Sequence, residues 1–196
     1  MKKMTTLDLA KTAYIPIDIQ AGIVHSGHLA PYTSDELLKA TNQLSQVFKH
    51  TEALITLVKV DAKTFYYLHP NRVSRTQDIQ VPKDYDTLLP TIATDETANN
   101  VITVTKHNPS AFFGTDLDLQ LRRRGIDTIV LSGVTSSNGV YVTALDAFQH
   151  GYHLYIVSDA TTDRDADLHQ LFFEKLYPKL GTVITQDKLL NLIKDK

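Results

Sequence analysis

The sequence predicts an α/β protein with three layers, in which helices cover both faces of a six-stranded parallel sheet. Short apolar runs alternate with segments whose apolar residues recur at helical spacing. This alternation is typical of a parallel sheet, because parallel neighbours need crossover connections. No repeat, low-complexity tract or linker composition divides the 196 residues, so we expect a single domain over residues 1–196.

The first two strands flank a helix with a clear start signal. Residues 12–19 are predicted to form a strand, and Pro16 within it lacks an N–H, which predicts a local irregularity or an unpaired position. The run Thr33-Ser34-Asp35-Glu36 is typical of a helix N-terminus, and the apolar face continues to about His50. Leu54 to Val60 is the second buried strand.

The remaining elements follow a long irregular segment. Residues 61–95 have little periodicity but many aromatic and basic side chains, which indicates a lid, a binding loop or an oligomer arm. Four further strands are expected at residues 101–105, 129–131, 152–157 and 182–185. Helices are predicted to begin at Thr115-Asp116, after the turn at 135–138, at about Asp165 (ending near Tyr177) and at Asp187-Lys188.

The composition excludes several classes of protein. A formal charge of −2 provides no basic surplus for a nucleic-acid partner. The chain has no cysteine, so disulfides, thiolate metal ligands and a thiol nucleophile are all excluded. No apolar run is long enough to span a bilayer, and the first residues lack the apolar stretch of a signal peptide. A cytoplasmic protein without a membrane partner is therefore expected.

One strand–turn–helix stretch, residues 129–147, has the pattern of a binding site. Ile129, Val130 and Leu131 form an apolar run that Gly133 is expected to end, and the polar residues 135–138 provide turn and cap chemistry. Such a turn directs several backbone N–H groups and a positive helix end to one point, where an oxyanion or a carboxylate can bind. An ordinary connection between a strand and a helix explains the same pattern.

Three groups fall at the carboxyl ends of predicted parallel strands. They are Asp18, Lys106 and the turn from Ser136 to Gly139. Ligands bind at this edge of an open α/β sheet, and a carboxylate, an ammonium and an N–H-rich turn could together form an acid–base site. Taken singly, each has a simpler explanation, since an aspartate at a strand end often caps a turn and a lysine there is often only solvated.

The chain resembles the isochorismatase-like hydrolases, which include nicotinamidases, carbamoylsarcosine amidases and vinyl-ether-cleaving isochorismatases. The resemblance covers about residues 12–190 and implies their Rossmann-like fold. The matching segments are Ile17-Asp18-Ile19-Gln20, residues 106–125 (KHNPSAFFGTDLDLQLRRRG), residues 133–147 (GVTSSNGVYVTALDA), Gly151-Tyr152 and Ser158-Asp159-Ala160.

The resemblance implies roles for particular residues. Asp18 and Lys106 match the catalytic aspartate and lysine, and Gly139 stands where the family has its catalytic cysteine. A cis peptide is implied at Val134–Thr135, which would turn the N–H groups of Thr135 and Gly139 toward the substrate. The residues expected to bind substrate are Gln20, Phe112, Val134, Thr135, Ser136 and Asn138. For Phe112, packing is an equally good explanation.

Gly139 limits which activity the resemblance implies. Amidases of the family need a thiolate to form an acyl-enzyme, and glycine cannot supply one. Isochorismatases also lack the cysteine, and for them the resemblance implies vinyl-ether hydrolysis with Asp18 as general acid and Lys106 helping to bind a substrate carboxylate. An adjacent ammonium is expected to lower the pKa of Asp18, whereas acid catalysis needs that pKa raised by burial. A substrate carboxylate that draws Lys106 away, together with desolvation by the 61–95 segment, could reverse the balance.

The function expected from the sequence is therefore hydrolysis of a small anionic substrate by a homo-oligomer. The alternative is a catalytically silent member of the family that binds a small carboxylate or a protein partner. No cofactor and no metal are expected, since the segment Val60-Asp61-Ala62-Lys63 lacks the histidine that nicotinamidases have there, and His25, His28 and His69 suit loop or pocket positions better than metal ligation.

Overall fold

A computed structural model describes residues 7–61 and 81–194. Within them, six strands form one sheet in the order β3-β2-β1-β4-β5-β6, and every neighbouring pair is parallel. The strands are β1 (Thr12–Ile17), β2 (Leu54–Val60), β3 (Val101–Lys106), β4 (Thr128–Val134), β5 (His153–Thr162) and β6 (Thr182–Ile184). The predicted α/β fold with a six-stranded parallel sheet is confirmed.

Helices connect the strands. The α-helices are α1 (Ala21–Val24), α2 (Ser34–Phe48), α3 (Leu117–Arg123), α4 (Gly139–Gln149), α5 (Ala166–Leu171) and α6 (Gln186–Lys194). Short 3-10 turns lie at Leu9–Lys11, Thr91–Thr94 and Tyr177–Lys179. The predicted start of α2 is confirmed, because the Thr33 side chain and Glu36 form a reciprocal capping box.

Alternate residues of β1 supply the two cores on either side of the sheet. Ala13, Ile15 and Ile17 pack in one core, to which α3 and α4 contribute buried apolar side chains. Tyr14 packs on the opposite face, with α2 and α6. Because both faces are covered, β1 is buried along its whole length, which explains its apolar sequence.

Strand β1 ends two residues earlier than its apolar run predicts. Asp18 has a positive φ of 56°, a left-handed conformation that ends the strand and is tolerated better by aspartate than by most residues. The expected irregularity at Pro16 is present on one side only: Pro16 is paired with Ser132 of β4, while the pairing with β2 is at Ala13, Tyr14 and Ile17. The chain therefore turns out of the sheet at Asp18.

Glycine is required at position 133 because β1 and β4 approach each other closely there. A Cβ at Gly133 would lie 2.3 Å from the Ile17 carbonyl oxygen, and its φ of +127° disfavours other residues. The strand nevertheless continues through Gly133, which was expected to end it, to Val134, three residues beyond the predicted apolar run 129–131. This approach brings the end of β4 directly beside Asp18.

Two later elements differ from the prediction. Strand β5 does not end at Val157 but continues to Thr162 through an irregularity, since Leu131 faces Ile156 whereas Gly133 faces Thr161. The helix expected over 165–177 is α-helical only to Leu171. It continues as a π-helical turn, Phe172–Leu176, and a 3-10 turn whose Pro178 lacks the N–H for another helical bond.

No helix of the described ranges 7–61 and 81–194 is long and apolar enough to cross a membrane. The irregular segment predicted over 61–95 carries most of its aromatic and basic residues at 65–75, and these lie outside the described residues. Tyr85 of the same segment is described.

Candidate active site

The candidate site lies where the strand order reverses, at the carboxyl ends of the central strands. Asp18 follows β1, Lys106 is the last residue of β3, and the turn after β4 leads into α4 at Gly139. Since β1 and β4 are neighbours whose crossovers run to opposite sides, a crevice opens between their ends. The sheet thus brings together the three groups that the sequence places far apart.

Asp18 and Lys106 form a buried ion pair. The ammonium of Lys106 lies 2.8 Å from Oδ2 of Asp18, and its side chain is only 1% exposed. The ammonium also donates a hydrogen bond of 2.7 Å to the carbonyl oxygen of Pro109. Oδ1 of Asp18 is buried and has no hydrogen-bond partner among the described residues. One carboxylate oxygen is therefore fixed by lysine while the other is available for a ligand.

Burial controls the protonation of Asp18. Loss of solvation raises the pKa of the Asp18 carboxyl, and the charge and hydrogen bond of Lys106 only partly oppose this rise. The expectation that the ammonium would lower the pKa describes one contribution correctly, but the desolvation outweighs it. The protonated form needed by a general acid is favoured as a result.

Gly139 faces the ion pair directly. A Cβ at this position would lie 3.1 Å from Nζ of Lys106 and 3.2 Å from Oδ2 of Asp18. A side chain here would therefore point at both groups and crowd them slightly. The position matches the nucleophile position implied by the resemblance, and glycine leaves it without a reactive atom.

The turn between β4 and α4 presents backbone donors at the same point. The Val134–Thr135 peptide is cis, where the resemblance places it. The N–H groups of Thr135 and Gly139 form no hydrogen bond with any residue in the described part of the chain. Both residues border the same cavity as Asp18, so the turn has the donors that an oxyanion or a carboxylate requires.

Asp163 and Tyr177 stabilise this turn by hydrogen bonds, and neither residue lines the cavity. One oxygen of Asp163 accepts hydrogen bonds from the Ser136 hydroxyl (2.8 Å) and from the Ser137 N–H (2.6 Å). The Tyr177 hydroxyl donates to the Ser136 carbonyl oxygen at 2.7 Å. These buried bonds fix the conformation of the turn and leave the Ser136 side chain facing away from the cavity.

A cavity of about 210 Å³ joins these groups. Of the expected site residues, the structure brings six into its wall, namely Asp18, Lys106, Val134, Thr135, Asn138 and Gly139. Its other lining residues are Ile23, Val60, Tyr85, Pro109 and Arg164. The volume suits a small molecule.

Three expected substrate-binding residues do not line the cavity. Gln20 is fully buried, and its amide bonds to the backbone of Val60 and to the carbonyl oxygen of Tyr85. Phe112 packs against the rings of His150 and Tyr152. Ser136 is fully buried on Asp163. In each case the side chain makes its contacts with the protein interior and not with the cavity, because neighbours in sequence can point in different directions where the backbone turns.

Arg164 is the functional candidate that the sequence analysis missed. It lies two residues beyond β5 and borders the cavity. The predicted end of the strand at Val157 put it in the middle of a connection rather than at the ligand-binding edge. A strand extended through Ala160, Thr161 and Thr162 would have identified it.

Among the described residues that line the cavity, Asp18 is the one carboxylate and none is a histidine. Within residues 7–61 and 81–194, no group of three or more histidine, aspartate or glutamate residues could hold a metal ion. The groups that are present, a carboxyl, an ammonium and backbone N–H donors, can transfer a proton and form hydrogen bonds to a ligand.

Comparisons with known proteins agree on one family. The isochorismatase domain model matches residues 12–188. The isochorismatase family protein YwoC of Bacillus subtilis is 34% identical over 200 residues, which cover 99% of this chain and all of that protein. A maleamate amidohydrolase of Pseudomonas putida is 36% identical over 92 residues, 46% of this chain and 43% of that enzyme. The match to a solved structure of an isochorismatase family protein from Burkholderia thailandensis covers 97% of this chain and 98% of that chain, with 29% identity and a TM-score of 0.78.

Proposed function

The chain belongs to the isochorismatase family, and on that premise we propose that it hydrolyses the vinyl ether of a small anionic substrate with Asp18 as general acid. The observation that carries the proposal is the Asp18 carboxyl, which borders the cavity, is buried enough to have a raised pKa and keeps Oδ1 without a partner. An acid with these properties holds its proton to a higher pH than an ordinary aspartate and can deliver it to a ligand.

Acyl transfer through a covalent enzyme intermediate fits the site less well. The position nearest to Asp18 and Lys106 is Gly139, which has no nucleophile. The hydroxyls of Ser136 and Ser137 do not replace it, because Ser136 is bonded to Asp163 and neither serine lines the cavity. The similarity to the maleamate amidohydrolase covers less than half of either chain and supplies no nucleophile to this one.

In the proposed reaction, Asp18 transfers the proton on its carboxyl to the terminal carbon of the enol ether. The carbon–carbon double bond is consumed, and the ether carbon becomes an oxocarbenium ion. A water molecule adds to that carbon and gives a proton to the Asp18 carboxylate, which restores the acid. The resulting hemiketal breaks its bond to the ether oxygen, and the proton of its hydroxyl passes to that oxygen, so that an alcohol and a ketone are released. For isochorismate the products would be dihydroxy-dihydrobenzoate and pyruvate.

Lys106 acts in this scheme through Asp18. Its ammonium already contacts Oδ2 of Asp18 and the Pro109 carbonyl oxygen. Once Asp18 has given up its proton, the ammonium stabilises the carboxylate that remains. This geometry favours electrostatic support of the acid over direct binding of a substrate carboxylate by Lys106.

The same ion pair also fits the second candidate, a family member that binds a small carboxylate without converting it. The lysine and aspartate are in direct contact at 2.8 Å, and an Asp18 that stays ionised cannot donate a proton. The two candidates make opposite predictions for turnover and similar predictions for binding.

A substrate screen with wild type and Asp18 variants side by side tests the proposal. Isochorismate and simpler enol-pyruvyl ethers would be incubated with wild type, Asp18→Ala and Asp18→Asn, and pyruvate would be measured by a coupled assay. We expect turnover by wild type and a loss of about 10²- to 10⁴-fold in both variants, the range for removal of a general acid. Asp95→Asn, which removes a half-buried carboxylate paired with Lys49, is the matched control and should leave turnover unchanged.

The pH dependence provides a second readout. Because only protonated Asp18 is active, kcat should fall as pH rises through its raised pKa. A flat rate between about pH 5 and 8 with an active Asp18→Asn variant would contradict the general-acid role. Binding of these compounds without turnover by wild type would favour the second candidate.

A further inference from the structure

Arg164 borders the cavity but has no part in the proton transfer proposed above. It is half-buried and shares the cavity wall with Asp18 and Lys106. None of the ion pairs between described residues includes its guanidinium group. A cation that borders a small cavity without a carboxylate partner is an anion-binding group by charge.

Neutral acceptors hold the Arg164 side chain in place. One terminal nitrogen, Nη2, donates to the Ile23 carbonyl oxygen (2.5 Å) and to the Ser26 hydroxyl (2.9 Å). The other, Nη1, donates to the His28 carbonyl oxygen at 3.3 Å. Since arginine has five N–H donors, Nε–H and one N–H of Nη1 are left without a described partner. The group is thus oriented without being neutralised.

Lys106 is a poorer candidate for binding a substrate anion. Its ammonium is 1% exposed and bonded to Asp18 and Pro109. Among the described residues that line the cavity, the charged ones are Asp18, Lys106 and Arg164. Their summed charge is +1 when Asp18 is ionised and +2 when it is protonated, and in either state it favours an anionic ligand.

We propose that Arg164 binds a carboxylate of the substrate and determines the preference of the site for anionic compounds. The assignment of a vinyl ether as the group that Asp18 protonates rests on the proposed function. Binding of a carboxylate by Arg164 does not require turnover. The end of β5 and the end of β3 lie on opposite sides of β1 in the sheet. A carboxylate at Arg164 therefore leaves the rest of a small molecule inside the cavity that Asp18 and Lys106 also line.

Equilibrium binding of pyruvate tests this assignment, because pyruvate has a carboxylate but no vinyl ether to be cleaved. Calorimetric titrations would use wild type, Arg164→Gln, Arg164→Lys and Ser26→Ala, with methyl pyruvate as the neutral probe. Ser26→Ala is the matched control, since it removes one hydrogen bond of Arg164 and keeps the charge. Thermal unfolding would establish that each variant folds.

We expect wild type to bind pyruvate in preference to methyl pyruvate. Arg164→Gln should weaken pyruvate binding about 10- to 100-fold, the range for one hydrogen bond to a charged group, and leave methyl pyruvate unaffected. Arg164→Lys should retain part of the preference, because lysine keeps the charge but loses the planar fork. Ser26→Ala should bind both probes nearly as wild type does.

Three results would overturn the assignment: no preference of wild type for pyruvate over its ester, unchanged pyruvate affinity in Arg164→Gln, or an equal loss for both probes, which would mean a structural role. If Arg164→Gln does not fold, the titrations of Arg164→Lys test the proposal instead. Equal affinities of Arg164→Lys for pyruvate and methyl pyruvate would then count against it. If the pyruvate titrations give the expected result but no vinyl ether is turned over, Arg164 remains the anion-binding residue and only the proposed reaction is rejected.

Discussion

Replacing Asp18 by asparagine shows whether burial or the ion pair with Lys106 controls this carboxyl. Asparagine has nearly the same size but does not ionise. Burial raises the pKa of Asp18 above its ordinary value of 3.8 in the folded chain. Between that value and the raised one, the folded chain keeps a proton that the unfolded chain releases, so wild-type stability should fall as pH rises through this window.

The size of the effect is bounded by a single proton. A difference of one bound proton changes the free energy of unfolding by at most about 1.4 kcal/mol per pH unit. Asp18→Asn lacks the titrating group, so the stability of wild type minus that of the variant should decrease with rising pH, at a slope up to this limit. Urea unfolding followed by circular dichroism at steps of half a unit from about pH 4 to 8 measures it.

Asp95→Asn provides a control with the opposite sign. Hydrogen bonds from Lys49 and Thr97 lower the pKa of the Asp95 carboxyl to about 2. Its stabilising contribution is present above the ordinary value and lost as pH falls toward 2. The difference between wild type and Asp95→Asn should therefore be constant above about pH 5 and shrink below it.

An Asp18 difference that grows with pH would refute the reasoning. It would mean that the ammonium of Lys106 outweighs desolvation and holds the carboxyl ionised. The general-acid role would then fail as well, since both depend on the same proton.

Three other substitutions separate positions in the site from positions that support it. Gly139→Ala places a Cβ about 3.1 Å from the Lys106 ammonium, and we expect turnover to fall at least about tenfold. The free energy of unfolding should change by less than about 1 kcal/mol, because alanine also favours the helix. Full activity would show that the ion pair can shift at no cost. Gln20→Ala leaves the buried Val60 N–H without its acceptor and removes one donor from each of the carbonyl oxygens of Val60 and Tyr85, the second of which still accepts from the Gly22 N–H. The change should cost about 1–3 kcal/mol in urea unfolding and leave the KM of the folded enzyme unchanged; a raised KM would assign Gln20 to the substrate after all. Tyr177→Phe removes the donor to the Ser136 carbonyl oxygen and should lower stability by about 1–2 kcal/mol, with a smaller loss of kcat/KM than Gly139→Ala; equal losses would show that the turn is itself part of the chemistry.

The pattern of apolar residues predicted the sheet because that pattern follows from burial. The central strands of a parallel sheet are covered by helices on both faces, and their residues are therefore apolar. The apolar runs of β1, β2 and β4 are buried on both faces, so each was recognised from composition alone. The start of α2 was equally clear, since a capping box depends on contacts between residues three apart. Local sequence is sufficient where the deciding contacts are local.

The candidate site was only partly predictable for the same reason. The positions of Asp18 and Lys106 follow from strand ends, but the direction of a side chain after a strand depends on a single backbone torsion, such as the positive φ at Asp18. Gln20, two residues later, turns into the core and bonds to β2. Arg164 was missed because β5 passes through an irregularity set by its pairing with β4, which no residue pattern within β5 marks.

A glycine facing the ion pair has a practical consequence for handling the protein. The chain contains no thiol. Iodoacetamide therefore finds no cysteine to alkylate in the candidate site, and peroxide cannot form the sulfenic and sulfinic acids that inactivate thiolate enzymes. Preparations should keep their activity in air without added reductant, and the same reagents would distinguish this chain from cysteine-bearing relatives in a mixture.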